Sequence, residues 1–355
     1  MQEIPRSQRI SFEESLQEKV IPRNQCVGCG VCVLICPFNC IEYVEGPRLS
    51  KKCEVCGLCS KICPRYEFSR TDIEKMLFER DHNTNEEFGK YQRLAIAKAN
   101  DEHILQKCQD GGVVSALLNY ALSNQIIDGA IVSATSAEKP LYPVPRLVST
   151  MSEVAECAGA RYCYSPNILA LKEAFEQKKD GIGFVGTACQ IQAIRKLETI
   201  PIRKYSDFLK FTIGLFCADS FTYDGLIERY IQGTLGIDLN EIRKINIKGR
   251  LIITKKSGAT VEIPLSIAKQ FVRKGCTSCN DFSSQFADIS TGGLGLNNWT
   301  FAIIRTKRGQ EIFEGAERAG MLKVRPFEDE KYTLDLLVRL SKRKRVSSYS
   351  DHMIA

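Results

Sequence analysis

One cysteine spacing, present twice, constrains this chain more than any other feature. Residues 26–37 read Cys26-Val-Gly-Cys29-Gly-Val-Cys32-Val-Leu-Ile-Cys36-Pro37, and residues 53–64 read Cys53-Glu-Val-Cys56-Gly-Leu-Cys59-Ser-Lys-Ile-Cys63-Pro64. Both runs follow C-x2-C-x2-C-x3-C-P. In the bacterial ferredoxin arrangement, three close thiolates of each run take three irons of one [4Fe-4S] cubane, and the fourth cysteine reaches across to the other. The crossing rule assigns Cys26, Cys29, Cys32 and Cys63 to one cluster and Cys53, Cys56, Cys59 and Cys36 to the second. Gly28, Gly30 and Gly57 let the backbone approach an inorganic core, and each proline closes its ligand loop. Zinc ligation and plain burial of small apolar thiols are the competing readings. Cys40 falls outside the spacing and reads as a core residue.

The surroundings of this block bound the rest. A chain of 355 residues holds two or three domains. Sixteen cysteines without a preceding signal peptide point to a reducing, cytoplasmic setting, and three histidines are too few for a multi-histidine metal site. No run approaches the roughly 20 apolar residues of a membrane span. The net charge is +7, concentrated at Ser341-Lys-Arg-Lys-Arg-Val346 after an apolar helical segment. That tail reads either as a solvated helix end or as a dock for an acidic partner or the cytoplasmic membrane face. Nucleic acid is not expected, because the basic run lacks interleaved aromatics.

Residues 1–24 form a polar leader, helical or irregular, before the ferredoxin domain at 25–70. The hydrophilic stretch within 71–93 lacks apolar periodicity and reads as a linker. Beyond it, strand and helix alternate: strand 94–98, helix 112–122, strand 129–134, strand 183–186, helix 189–197 and strand 211–216. This grammar predicts an α/β domain over 94–330 with functional groups on the loops after strands, so the whole is α+β / α/β. A hairpin over 250–264 turns at Ser257-Gly258 and reads as an insertion. Residues 331–355 form a basic helical tail.

Four more cysteines stand out. Cys189 lies in Gly186-Thr-Ala-Cys-Gln190, Cys217 ends a strand, and Cys276 and Cys279 form a Cys-x-x-Cys loop. Together they make a complete ligand set for a third cluster. A redox-active Cys276–Cys279 disulfide and isolated core cysteines are the alternatives.

Gln109-Asp-Gly-Gly-Val-Val-Ser-Ala-Leu117, Gly186-Thr-Ala-Cys-Gln190 and Cys279-Asn-Asp-Phe-Ser-Ser-Gln-Phe-Ala-Asp-Ile-Ser290 resemble, in that order, segments of the family of coenzyme F420 hydrogenase/dehydrogenase beta subunits. The resemblance spans residues 26–306. It implies FAD as acceptor of hydride from reduced coenzyme F420, with [4Fe-4S] clusters carrying electrons to a redox protein or a membrane-bound complex, as in F420H2 dehydrogenases with a fused ferredoxin domain. A deazaflavin gives two electrons as hydride and a cluster takes one, so a carrier able to do both belongs between them.

The same resemblance brings Gln109, Asp110, Gly111, Gly112 and Ser115, at a helix start that can hold a phosphate, to the flavin. It also places Gly186 and Thr187 beside the ring. Arg161 stands where many members have lysine, and it, Arg273 and Lys274 are candidates for anionic groups of flavin or coenzyme. Cys108 and Cys163 are unexpected neighbours. The run 288–295 reads either as a second flexible, donor-rich loop or as an ordinary turn. Another hydride donor, a substrate reduced on the flavin, and an electron-wiring subunit without flavin are the alternative functions.

Overall fold

A computed structural model describes residues 9–78, 82–328 and 330–350. The start of the leader (1–8) and the end of the tail (351–355) lie outside the described residues.

The two cysteine runs fold alike for a local reason. Gly30 and Gly57 sit in the left-handed region at φ 85° and 77°, where a side chain would strain the backbone. Each starts a single helical turn, Val31–Ile35 and Leu58–Ile62. Between the turns, strand β1 (Ile41–Tyr43) pairs antiparallel with β2 (Pro47–Leu49). The leader is part of this unit: a helical turn at Glu13–Gln17 buries Phe12, Leu16 and Val20 against Cys32, Cys59 and Ile41.

The stretch read as a linker carries ordered structure. Helix Arg70–Leu77 is capped by Ser69, whose hydroxyl accepts from the Asp72 amide. Strands β3 (Asn83–Asn85) and β4 (Gly89–Tyr91) form a hairpin. At its turn the Asn85 side chain accepts from the Glu87 and Phe88 amides, which steers Phe88 into the interior. Such side-chain turns leave no apolar period in the sequence, so polarity alone misreads them.

Strands β5 (Arg93–Ala99), β6 (Gly129–Thr135), β7 (Pro143–Val148), β8 (Ile182–Thr187) and β9 (Leu209–Leu215) belong to one central sheet. Strands β10 (Ile242–Ile247), β11 (Arg250–Lys255) and β12 (Thr260–Pro264) form a separate antiparallel sheet. Three more strands, β13 (Ile289–Gly292), β14 (Thr300–Ile304) and β15 (Leu322–Arg325), complete the central one in the order β15-β5-β14-β13-β9-β8-β6-β7. Its middle, β13-β9-β8-β6, is parallel, and β7, β14 and β15 run the other way. The fold is therefore mixed, with a parallel centre and antiparallel flanks. The helices at Val113–Ser123 and Ala188–Thr199 begin and end within two residues of the sequence expectation.

Side-chain alternation sends each strand to two cores. Ala130 and Val132 of β6 face Leu117 and Phe313 of helices Val113–Ser123 and Lys307–Arg318. Ile131 faces the opposite layer, where Ile191 and Ile194 meet Val31, Ile35 and Ile62 of the ferredoxin unit. The ferredoxin unit thus shares a hydrophobic core with the sheet. On the same face, Leu337 of the long C-terminal helix Lys331–Ser350 covers Phe301 and Ile303.

The run at 288–295 starts as β13, a buried strand of the sheet, and then makes an ordinary turn at 293–296, closed by Leu296 N donating to Gly293 O at 2.9 Å. Asp288, just before β13, is fully buried against Arg195 at 3.0 Å, also fully buried. The Thr212 amide and hydroxyl donate to the same carboxylate oxygen at 2.8 and 2.9 Å, and the Thr306 hydroxyl donates to the other at 2.6 Å. Burial pushes the Asp288 carboxyl up, but Arg195 and then Arg308 outweigh it and bring it down to about 2.

Removing one partner leaves a buried charge. Asp288→Asn or Arg195→Met should each lower the unfolding free energy by about 3–5 kcal/mol, measured by urea denaturation. The double variant Arg195→Met/Asp288→Leu should lose clearly less than the two single losses added together. Additive losses would show that the pair is not coupled.

Candidate functional site

The ferredoxin unit has two hollows. One is lined by Cys26, Cys29, Cys32 and Cys63, the other by Cys36, Cys53, Cys56 and Cys59, so the fourth cysteine of each run faces the set of the other. Backbone amides point at several of these sulfurs: Phe12 and Val55 donate to Cys53 at 3.4 Å, Cys40 to Cys36 at 3.3 Å and Arg65 to Cys63 at 3.4 Å. Such donors favour thiolates. Among the described residues, no three His, Cys, Asp or Glu side chains close round a point as a single metal ion requires. Each set of thiols rings a hollow, as the ligands of a polynuclear cluster do. Burial pushes the Cys29 and Cys32 thiols well up, so a strongly cationic core is what would keep them ionised.

A second gathering of thiols sits at the carboxyl edge of the central sheet. Cys189 lies in the first turn of the helix after β8, Cys217 just beyond β9, and Cys276 on the short helix Lys274–Thr277. Burial, then the nearby sulfurs of Cys276, Cys189 and Cys279, push the Cys217 thiol well up. None of the sixteen cysteines is in a disulfide, Cys276 and Cys279 included. Cys189 Sγ is 3.3 Å from the Thr187 hydroxyl and 3.7 Å from the hydroxyl of half-buried Tyr164.

Two buried charged groups hold Cys279 in place. Asp281, two residues on, accepts from the Gln285 amide at 3.0 Å, which closes a tight loop. Arg305 donates to Ser290 Oγ at 2.7 Å, to Ser283 O at 3.1 Å, and across to Phe88 O and Lys90 O at 2.9 and 2.7 Å. Burial pulls the Arg305 guanidinium down to about 9, against the opposing effect of Asp281. The segment 279–290 is thus a buried polar frame behind a thiol.

The two regions interlock. A Cβ on Gly275 would collide with the Cys26 carbonyl, and one on Gly28 with the Arg273 guanidinium. Arg273 donates to Val27 O at 3.0 Å and lies 4.0 Å from the Tyr164 ring centroid, and Tyr43 donates to Gly28 O at 2.8 Å. Lys344 is turned inward: its Nζ donates to Asp219 Oδ1 and Cys276 O, both at 2.9 Å, and to Ala218 O. A basic run could not reveal which of its cations is buried. Arg65, Tyr164 and Lys344 carry no spacing signal and were missed from sequence.

The remaining candidates fall as follows. Gly111 packs between β5 and β14; a Cβ there would lie 2.7 Å from Ala97 O, and one on Gly112 would meet Ile104 and Cys108. Packing alone therefore requires both glycines. Gln109 Nε2 donates to Ile245 O at 3.3 Å, and half-buried Asp110 lies against Gly293 and Lys244. Ser115 is buried. Gly186 is pressed between Phe184 and Gln190. Arg161 donates back to Cys157 O and Gly159 O at 2.7 and 2.9 Å, while its buried Nε has no partner. Lys274 is exposed on the surface. The 109–112 loop and Thr187 lie on the same edge of the sheet, and Gly293 lies against Asp110. The Gly111 amide donates to Thr300 Oγ1 at 3.0 Å, and Gln190 Oε1 is buried without a partner.

Two ferredoxin-type hollows beside a thiol-bearing sheet edge define an iron–sulfur electron-transfer protein of the oxidoreductase class. Models described as the coenzyme F420 hydrogenase/dehydrogenase beta subunit match residues 94–172 for its N-terminal part and 179–330 for its C terminus, and a 4Fe-4S binding domain matches residues 19–42. The chain is 39% identical over 261 residues to the coenzyme F420 hydrogenase subunit beta of Methanosarcina barkeri, covering 72% of this chain and 89% of that one. To one of the subunits of the F420H2 dehydrogenase of Methanosarcina mazei it is 28% identical, covering 92% and 91%. A chain of the F420-reducing [NiFe] hydrogenase complex from Methanosarcina barkeri superposes with a TM-score of 0.72 at 36% identity, covering 76% of this chain and 93% of that one. This chain belongs to the family of coenzyme F420 hydrogenase/dehydrogenase beta subunits. No helix among the described residues is long and apolar enough to cross a membrane.

Cys40 lines the hollow of Cys36 and donates its backbone amide to the Cys36 sulfur at 3.3 Å, while its own thiol lies 3.9 Å from Phe38 O and close to Cys36. Cys40→Ala should keep the full iron content of anaerobically prepared protein. Cys36→Ala should lower it by up to about four irons per chain, one cubane. Equal losses in the two variants would make Cys40 a ligand.

Proposed function

We propose that this chain takes hydride from reduced coenzyme F420 onto FAD and passes single electrons through three [4Fe-4S] clusters to a partner, either a redox protein or a membrane-bound complex. The observation that carries the reading is the contact between the two thiol regions: the Gly275 loop, between Arg273 and Cys276, packs directly on Cys26. Flavin supplies the conversion between a two-electron and a one-electron carrier. In this reading Cys189, Cys217, Cys276 and Cys279 hold the cluster at the sheet edge. Cys26, Cys29, Cys32 and Cys63 hold the next, and Cys36, Cys53, Cys56 and Cys59 hold the one at the exit. Gln109, Asp110, Gly111, Gly112 and Ser115 border the flavin from one side, Gly186 and Thr187 from the other. Arg161 and Lys274 are left for anionic groups of flavin or coenzyme. No side chain needs to act as acid or base in a hydride transfer, so the chain's task is positioning.

One observation keeps a second reading in view. The Gly111-Gly112 pair is explained by packing, as an electron-wiring subunit without flavin would also require. The visible spectrum decides between them: flavin absorbance bleached by reduced F420 supports the first, and its absence from fully loaded protein supports the second. Rapid bleaching by NADPH instead would overturn the donor assignment.

Anaerobically loaded protein should carry about 12 irons per chain, against about 8 for the ferredoxin clusters alone. Cys279→Ala should lower the count by no more than about four while the ferredoxin signals persist. A loaded preparation that stops near 8 defeats the third cluster.

Electron exit is separable from hydride acceptance. Cys29→Ala/Cys56→Ala should leave flavin reduction in stopped-flow within about twofold of the parent rate, yet slow delivery to a protein acceptor by about tenfold or more. Loss of flavin reduction with FAD still bound would reverse the order of carriers.

A further inference from the structure

Arg65 stands between two thiol sets and belongs to neither ligand pattern. It follows Pro64, and its amide donates to Cys63 Sγ at 3.4 Å. Its side chain lines the hollow of Cys26, Cys29, Cys32 and Cys63. Its guanidinium is hydrogen-bonded to Cys279, with Cys189 and Cys63 also close to it. Nε and Nη2 are shut off from solvent and have no hydrogen-bond partner.

Two orphaned donors on one buried cation are costly unless something anionic faces them. The groups that dominate the surroundings of Arg65 are sulfurs on both sides. A cubane with four thiolate ligands is anionic in both oxidation states and gains one further negative charge on reduction. A fixed guanidinium between two such groups has its strongest attraction when either is reduced, in an interior where charges are weakly screened. Cluster potentials respond to nearby charge and to hydrogen bonds at sulfur, and Arg65 is placed to supply both. Arginine suits the position because it stays charged and its planar fork addresses two sites at once.

We propose that Arg65 is a positioning residue for electron transfer, raising the reduction potentials of both the cluster on Cys26, Cys29, Cys32 and Cys63 and the one on Cys189, Cys217, Cys276 and Cys279. The inference rests on the three-cluster reading above. Arg65 does not line the hollow of Cys36, Cys53, Cys56 and Cys59, so the remote cluster there serves as an internal control.

The test is a redox titration of the complete, anaerobically loaded protein, followed by electron paramagnetic resonance. In Arg65→Gln the two facing clusters should titrate at more negative potential, by about tenfold in the reduced-to-oxidised ratio, which is about 59 mV for a one-electron couple. The remote cluster should not move, and Arg65→Lys should recover most of the shift. Unchanged potentials at about 12 irons per chain would overturn the role of Arg65 while leaving the three clusters standing. A parent protein that loads only about 8 irons would instead remove the three-cluster reading on which the proposal rests. Should Arg65→Gln fail to load, Arg65→Lys decides. Potentials like the parent's at full loading support the charge, and a second failure to load makes Arg65 a structural pin and overturns the proposal.

Discussion

The structure depends on the buried ion pair between Arg195 and Asp288. Asp288 ties the backbone of β9 to the start of β13 and, through Thr306, to the chain after β14. Arg195 ties the helix Ala188–Thr199 to the same point and also donates to Phe286 O and Glu198. That helix begins with the turn that carries Cys189, β9 leads to Cys217, and the segment before Asp288 carries Cys279. One charge pair therefore sets the mutual placement of thiols that lie far apart in sequence. A buried pair adds little net stability over an apolar substitute, but a broken one leaves a lone charge inside, so the elements it joins hold one arrangement.

Arg305 and Asp281 are two further buried charged groups nearer the thiols. A guanidinium with several carbonyl partners can hold irregular backbone that neither a helix nor a strand could satisfy, and 279–288 is such backbone. The motif at 279–290 accordingly owes its composition to burial: Asp281, Ser283, Ser284, Gln285, Asp288 and Ser290 are all buried polar residues. Their work is to hold the loop behind the Cys279 thiol.

Interlocking side chains then shorten the distance between the sheet edge and the ferredoxin unit. Gly275 admits the Cys26 carbonyl, Gly28 admits Arg273, and Tyr164 stacks between that arginine and Cys189. The shared core of Val31, Ile35 and Ile62 with Ile191 and Ile194 keeps the two units from separating. Electron transfer over short hops needs this rigidity, because a tethered ferredoxin would sample many distances.

By itself the sequence determined what local rules decide. The spacing of the cysteine runs with their glycines, the strand–helix alternation after residue 93, and the hairpin at 250–264 follow from backbone sterics and side-chain period, which act within a few residues. Only the tertiary structure decided the rest. The ordered hairpin at 83–91, β13 as a buried strand, the packing demand for Gly111 and Gly112, and the burial of Lys344 and Arg65 all depend on partners far away in the chain. A buried cation and a solvated one have the same sequence; what separates them is whether distant backbone carbonyls, carboxylates and thiols converge to replace water, and that convergence exists only once the sheet has formed.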